Sequence, residues 1–231
     1  MSTPLPPGQR ESADFHRFGL PQFAQRFPKE TSRCALDVTG SVTRQLHLTE
    51  ALQGLPRIEQ VCDFHCVTTW SYRALRWEGV RFIDFYTQVI QPQAAPQASA
   101  TLVALRGQDG ARTGMLLEDL LAPDVLLADR LNGQPISVDH GAPLRLIAPA
   151  HYGYKWVKHL SRIEFREPAA GYRVSGLSFM DHPRARVAHE ERGRVIPGWL
   201  LRFLYRPLIR GTVSRFAKAS ESRNASWPAQ R

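Results

Sequence analysis

Between Ala35 and Ala148 the chain switches between two-residue alternation and short apolar runs and holds neither pattern for long. Ala35-Leu36-Asp37-Val38-Thr39-Gly40 and Gln45-Leu46-His47-Leu48-Thr49 alternate as half-buried strands do, with turn residues between them. Thr49-Glu50-Ala51-Leu52 predicts the opening of a short helix that Gly54 and Pro56 close. Ile58 to Trp70 predicts a strand leading into a turn, and Arg81 to Val89 a short helix before the Pro/Gln/Ala-rich loop at 91–100. Strands are expected at Thr101–Leu105, Val125–Leu131, Ile136–Val138 and Leu144–Ala148, with turns at GQDG and Asn132-Gly133 and a helical turn at Leu116–Leu121. Short strands mixed with short helices, without regular alternation, predict an α+β fold rich in β structure and not a doubly wound sheet. The first thirty residues are Pro-rich and irregular, with Phe15, Phe18, Phe23 and Phe27 as anchors to lie over a core. No internal repeat is visible.

Composition narrows the class. A chain of 231 residues, 43% hydrophobic, can bury a sizeable core in one large domain or two small ones. No run approaches the roughly 18 consecutive apolar residues of a membrane span. The net charge of +9 is unevenly placed: residues 1–170 carry 18 basic and 17 acidic side chains, residues 171–231 carry 12 and 4. A nearly neutral body with a basic tail argues against specific nucleic-acid binding. Three cysteines make an odd number without a spaced framework, and the opening residues show no apolar run after a basic start, so a reducing cytoplasm is the expected location.

Two of those cysteines and a histidine crowd into VCDFHCVTTWS at 61–71. By residue type this is a zinc knuckle, a thiol nucleophile with its base, a ligand for another metal, or buried sulfur in a core strand. Zinc needs about four soft or borderline ligands, and Cys62, His65 and Cys66 give three at cramped spacing, with Cys34 the remaining sulfur. His65 and Cys66 are adjacent, and neighbours on a strand point to opposite faces, which does not suit a nucleophile–base pair. Buried sulfur is the commonest fate of a single cysteine.

The surroundings sharpen the reading. HCVTTWS is followed by Trp77-Glu78-Gly79-Val80 and, about sixty residues later, by NGQPISVDHGAPLRLIAPAHYGYKWVKHL. Cysteine before a Trp-Ser turn, W-x-G-V, NG-x-P, HGAPLRL and YG-x-K-x-x-K, in this order and spacing over roughly residues 15–167, resemble the molybdopterin-binding domain of the sulfite oxidase family. That family includes plant nitrate reductases and the bacterial periplasmic methionine sulfoxide reductase catalytic subunit. The resemblance implies the sulfite-oxidase-type fold and Mo-molybdopterin as cofactor, with the metal held by the pterin dithiolene and one protein thiolate, here Cys66. It implies cofactor contacts at Asp109, His140, Arg145, Trp156, Val157 and Lys158. Arg145 lies in the apolar run Leu144–Ile147, where a buried charge requires a partner, and an anionic cofactor would be one. Cys62 and Cys34 have no role in this scheme, His65 reads as a hydrogen-bonded strand histidine, and Lys155 reads equally as a contact or as a solvated loop residue.

There are departures from the family pattern. Its asparagine–histidine pair is replaced by His16-Arg17-Phe18-Gly19-Leu20-Pro21, and its active-site tyrosine is missing from Asp109–Leu117. The immunoglobulin-like dimerisation domain and a haem-binding CxxCH are not present in the sequence, so electrons are expected to pass to a separate partner. For an anionic substrate, Arg73 and Arg76, just past the ligand turn, are candidate pocket residues. In the segment 197–210, Arg202, Arg206 and Arg210 recur at i, i+4 among bulky apolar residues, with Pro207 interrupting. This reads as a tail packing its apolar side on the domain with a solvated basic face, as a membrane-surface helix, or as a docking site for an acidic redox partner. The expected organisation is a flexible N-terminus (1–14), a molybdopterin-binding domain (15–170) and a basic C-terminal extension (171–231). The expected function is two-electron oxygen-atom transfer on a small substrate, a sulfite-like anion or an S- or N-oxide. The alternative is a non-catalytic cofactor-binding or interaction module that works through the basic tail.

Overall fold

The computed structural model describes residues 4–168 and 182–226. In chain order the strands are β1 (Arg10–Glu11), β2 (Leu36–Gly40), β3 (Leu46–Leu48), β4 (Arg57–His65), β5 (Trp70–Arg81), β6 (Leu102–Gly107), β7 (Arg112–Leu116), β8 (Leu126–Leu131), β9 (Gln134–Pro135), β10 (Arg145–Ile147) and β11 (Leu160–Arg166). The helices are α1 (Phe82–Phe85), which runs on through a π turn at Tyr86–Ile90 into α2 (Gln91–Ala94), then α3 (Leu117–Leu120), α4 (Gly198–Tyr205) and α5 (Leu208–Ser226). One sheet has the order β1-β5-β8-β10, with β4 also on β5 and β9 on β8; the other has the order β3-β2-β11-β6-β7. Both are mixed, since β1 runs parallel to β5 and β2 parallel to β11 while the remaining pairs are antiparallel. The fold is therefore the expected β-rich α+β class with short helices.

One continuous core joins the two sheets, built on fully buried Trp77, Trp156, Phe82, Phe85 and Phe165 with Leu36, Leu105, Leu126 and Leu146. Gly79 has a packing reason: a Cβ there would stand 2.0 Å from the Leu127 carbonyl oxygen, so only glycine lets β5 approach β8 so closely.

Several local expectations are corrected. Strand β5 follows the Trp-Ser turn for twelve residues and was not apparent in the sequence. Its alternation breaks where Cys62 pairs with Leu75 but Phe64 pairs with Tyr72; the extra residue in β5, beside Ala74 at φ 53°, is a bulge that shifts the inward-facing phase. The helix expected from Thr49 is a run of turns, because Ala51 N–H donates to the Cys34 carbonyl instead of to a preceding turn. Ile136–Val138 is no strand: the Ser137 carbonyl accepts from His140, Gly141 and Ala142, winding Val138–His140 into a 3₁₀ turn. β7 and β11 also went unpredicted. The N-terminal stretch expected to be flexible contains β1, and Gln9 Nε2 donates to the Cys66 carbonyl at 3.0 Å.

The C-terminal extension packs on the body. Phe216 and Ala219 of α5 bury against Ala24 and Phe27, and Ser220 Oγ donates to Asp139 Oδ1 at 2.8 Å. Arg192, fully buried, donates to the carbonyls of Val67 and Pro7 and, with Arg202, grips Glu190. Pro207 separates α4 from α5, so Arg202, Arg206 and Arg210 do not form one solvated basic stripe. Arg202 faces Glu190, while Trp199, Leu200, Phe203 and Leu204 face solvent.

Candidate functional site

A cleft of about 770 Å³ opens where the β6–β7 turn, the 153–162 segment, the N-terminal arm and the C-terminal helices converge. This is an ordinary size for a cofactor site. Its wall carries Arg17, Arg26, Arg106, Arg112, Lys158 and Arg162 against the acidic side chains Asp37 and Asp109. Arg106, Arg162 and Arg17 are paired with Glu164, Asp37 and Asp139, so the excess positive character comes from Arg26, Arg112 and Lys158.

Of the residues singled out from sequence, Asp109, Trp156, Val157 and Lys158 line this cleft. Asp109 sits in the tight β6–β7 turn and accepts from Ala111 N–H at 2.9 Å; burial raises its carboxyl above the ordinary range. Gly107 permits this turn, because a Cβ there would meet the Lys158 carbonyl at 2.4 Å. Lys158 reaches inward, donating to the Asp139 carbonyl at 2.9 Å, and burial lowers its ammonium to about 7, with Arg145 and Arg17 acting in the same direction. Among the described residues no carboxylate lies in ion-pair range of it. A cation held in this way stands ready for an anion.

Cys66 lies just behind the wall, next to the cleft residue Val67, at the end of β4. The turn is closed by Thr69 N–H donating to the Cys66 carbonyl and Cys66 N–H to the Trp70 carbonyl; Thr69 takes φ 83° to make the reversal. The Cys66 Sγ is 3.1 Å from Thr68 Oγ1. Burial pushes the thiol up, opposed first by the Thr68 hydrogen bonds and then by the nearby charges of Arg192 and Lys158.

His140 and Arg145 are not on the cleft wall. The Arg145 guanidinium sits among Phe15, Phe64, Trp77 and Trp156, with ring centroids 5.3 to 5.8 Å away, and donates to the His140 carbonyl. The buried charge of Arg145 was expected to need a partner, with an anionic cofactor as one; in the structure four aromatic faces meet it. His140 stacks on Phe15 at 4.5 Å and is held neutral by burial, its pKa lowered to about 3. Its buried Nδ1 has no hydrogen-bond partner.

Three other candidates are displaced. Arg73 pairs with Glu11 and Asp63 and Arg76 with Glu59 on the β4–β5 hairpin, so neither reaches the cleft. Lys155 is buried, not solvated, and donates to the Gly114 carbonyl at 2.8 Å. His65 hydrogen-bonds Ser71 Oγ at 2.7 Å as a strand histidine. No group of three His, Cys, Asp or Glu side chains suited to a metal occurs among the described residues, so the zinc reading of VCDFHCVTTWS finds no support.

The structure adds residues that sequence reasoning missed. Arg17 is fixed by the Ala24 and Arg26 carbonyls, by the rings of Phe27 and Phe216, and by Asp139 at 3.7 Å. Tyr205 and Phe216 bring the C-terminal helices into the cleft wall. The Tyr205 Oη is buried without a hydrogen-bond partner, a donor available to a bound group. No local motif marks these residues, because each reaches the cleft from a segment remote in sequence.

The donor set fits a phosphate-bearing pterin with a metal at one end. It offers a buried unpaired lysine, further arginines and an orphaned Thr113 hydroxyl on the same wall, with the Cys66 thiol just behind that wall. Comparison with known proteins agrees. The model of the oxidoreductase molybdopterin binding domain matches residues 24–172. An uncharacterized oxidoreductase of Bacillus subtilis, YuiH, is 34% identical over 165 residues, covering 70% of this chain and 78% of that protein. The catalytic subunit of protein-methionine-sulfoxide reductase, MsrP, is 30% identical over 53% of this chain in Xanthomonas campestris, where the chain spans 41% of the relative. The Gluconobacter oxydans MsrP is 28% identical over 77% of this chain and 66% of its own length. The fold is similar to that of the sulfane dehydrogenase SoxCD from Paracoccus pantotrophus, with a TM-score of 0.53, 22% identity, and coverage of 66% of this chain and 43% of that one. With the β-rich fold, a cationic cleft with the Cys66 thiol behind its wall, and a family match over most of the body, the chain belongs to the molybdopterin-binding oxidoreductases.

Proposed function

We infer that this oxidoreductase catalyses two-electron oxygen-atom transfer on a small substrate, a sulfite-like anion or an S- or N-oxide, and exchanges electrons with a separate redox partner. The observation that carries this reading is the cationic cleft with Lys158 unpaired inside it and Cys66 buried just behind its wall, near enough for the Lys158 charge to act on the thiol. Mo-molybdopterin, when bound, would supply a two-electron redox centre for oxygen transfer. Cys66 would hold the metal through Sγ. Lys158, with Arg17 beside it, would hold the phosphate, while Asp109 and the Trp156-Val157 backbone would border the pterin. His140 and Arg145 support that wall from behind: Arg145 packs on Trp156, and Gly141, between His140 and the 142–145 turn, lies against Lys158. The C-terminal helices limit water access, with Tyr205 presenting a phenol that can donate to substrate oxygen. A cytoplasmic location is part of this proposal, resting on the odd number of cysteines without a spaced framework.

Purified protein from molybdenum-replete cells is expected to hold about one molybdenum and one pterin per chain. Cys66→Ser should lose the metal while keeping its circular dichroism. Metal-free wild-type protein would refute the cofactor assignment. Substrate class is tested anaerobically, by the optical or EPR change of the centre with sulfite, methionine sulfoxide and N-oxides. The two MsrP relatives put sulfoxides in that panel. A centre that responds to none of them would overturn the substrate assignment and leave cofactor binding intact.

A further inference from the structure

Helix α4 has an arrangement that the redox site does not use. Leu201 and Tyr205 turn inward, while Trp199 (57% exposed), Leu200 (41%), Phe203 (58%) and Leu204 (56%) turn outward. Val195 and Leu208, just before and after the helix, are exposed as well, at 76% and 55%. Nothing among the described residues covers this outward side. Isolated apolar residues on a surface are ordinary, but four large ones on consecutive turns of one helix form a patch that marks an interaction site.

The charge around this patch identifies its occupant. From Arg192 to Ser220 the chain has no aspartate or glutamate, and it carries Arg192, Arg194, Arg202, Arg206, Arg210, Arg215 and Lys218. Glu190 engages Arg192 and Arg202, which leaves five cations with no acidic neighbour in that run. Arg206 lies over the Phe203 ring at 5.6 Å, so a cation and an aromatic face share the rim of the patch. A second copy of this chain would bring Arg194, Arg206 and Arg210 against their own counterparts, which disfavours self-association through this face. Aromatic and leucine side chains projecting from a short helix beside unpaired arginines have the composition of an interfacial anchor. At eight residues, roughly 12 Å, α4 is far too short to cross a bilayer, and no helix of the described residues is long and apolar enough to do so.

We propose that α4 and the start of α5 seat this protein on an anionic lipid surface, with Trp199, Leu200, Phe203 and Leu204 entering the headgroup boundary and Arg194, Arg206 and Arg210 meeting lipid phosphates. On its opposite, inward side the same helix brings Tyr205 to the cleft wall.

The test uses the full chain with large unilamellar vesicles, one set of phosphatidylcholine alone and one with a third phosphatidylglycerol. Wild-type protein should cosediment with the anionic vesicles, blue-shift its tryptophan emission, and release with rising salt. Trp199→Ser with Phe203→Ser should abolish binding; both positions are exposed, so circular dichroism should be unchanged. Arg206→Gln with Arg210→Gln should weaken binding roughly fivefold per charge removed. Wild-type protein left in the supernatant would overturn the proposal, as would equal binding by the serine variant or equal binding to neutral vesicles. Dimers in sedimentation velocity that the serine variant dissociates, without vesicle binding, would assign the patch to a second copy instead.

Discussion

Lys158 offers the most direct test of the cleft. Burial lowers its ammonium from an ordinary 10.5 to about 7, and no carboxylate within ion-pair range restores it. Between those values the unfolded chain binds more protons than the folded one, so the stability of the cofactor-free protein should rise as pH increases from about 7 toward 10. A bound dianion reverses the local balance: it favours the ammonium, so binding takes up a proton. Affinity for sulfate, which stays doubly charged throughout, should therefore be constant below pH 7 and fall by up to about tenfold per pH unit above it. Lys158→Met removes the charge and keeps the stem; losing one charge-assisted hydrogen bond, about 1.5–3 kcal/mol, should weaken sulfate binding by roughly 10- to 150-fold. Calorimetric titration of cofactor-free protein between pH 6 and 9, in two buffers of different ionisation enthalpy, reads both affinity and proton uptake. Sulfate binding that is flat across this range, or undiminished in Lys158→Met, would refute the assignment of Lys158 as the anion-holding cation.

Three further outcomes follow from the packing. Tyr205→Phe removes a buried hydroxyl without a partner, so thermal unfolding should show unchanged or slightly raised stability, by up to about 1 kcal/mol; a fall in turnover at unchanged stability would place that hydroxyl at the substrate. Gly153→Ala drives a Cβ to 2.1 Å from the Phe64 ring inside the core and should cost about 1–3 kcal/mol in denaturant unfolding. Glu190→Gln leaves Arg192 and Arg202 without their carboxylate and should cost about 3 kcal/mol, read as a lowered unfolding midpoint. The two arginines hold the Glu190 carboxyl below its ordinary value, so wild-type protein should lose this stabilisation as pH falls through the acid range, and the variant should not.

The legible parts of this protein are those where neighbouring residues share one environment. Strands β2 and β3 alternate, and β8 and β10 are marked by the short apolar runs Val125–Ala128 and Leu146–Ala148, so their pattern is visible in the sequence. Strand β5 was hidden because a bulge at its centre reverses the inward phase, which cancels the two-residue period. Asp109, Trp156, Val157 and Lys158 were found because their motifs stay contiguous at the cleft. Arg73 and Arg76 were misplaced because proximity in sequence to Cys66 is no measure of direction: the hairpin carries them to partners of their own.

By itself the sequence determined the class of fold, the position of the thiol before the Trp-Ser turn, and the order of motifs that ties the body to its family. Those properties are encoded locally, in alternation, turn residues and spacing. Only the tertiary structure decided that Arg145 is caged by rings, that Arg17 and Tyr205 complete the cleft from opposite ends of the chain, and that α4 turns its aromatic side outward. Each of these depends on which surfaces meet across long separations in the chain, and hydrophobic burial, being non-directional, leaves that choice to the packing of the whole.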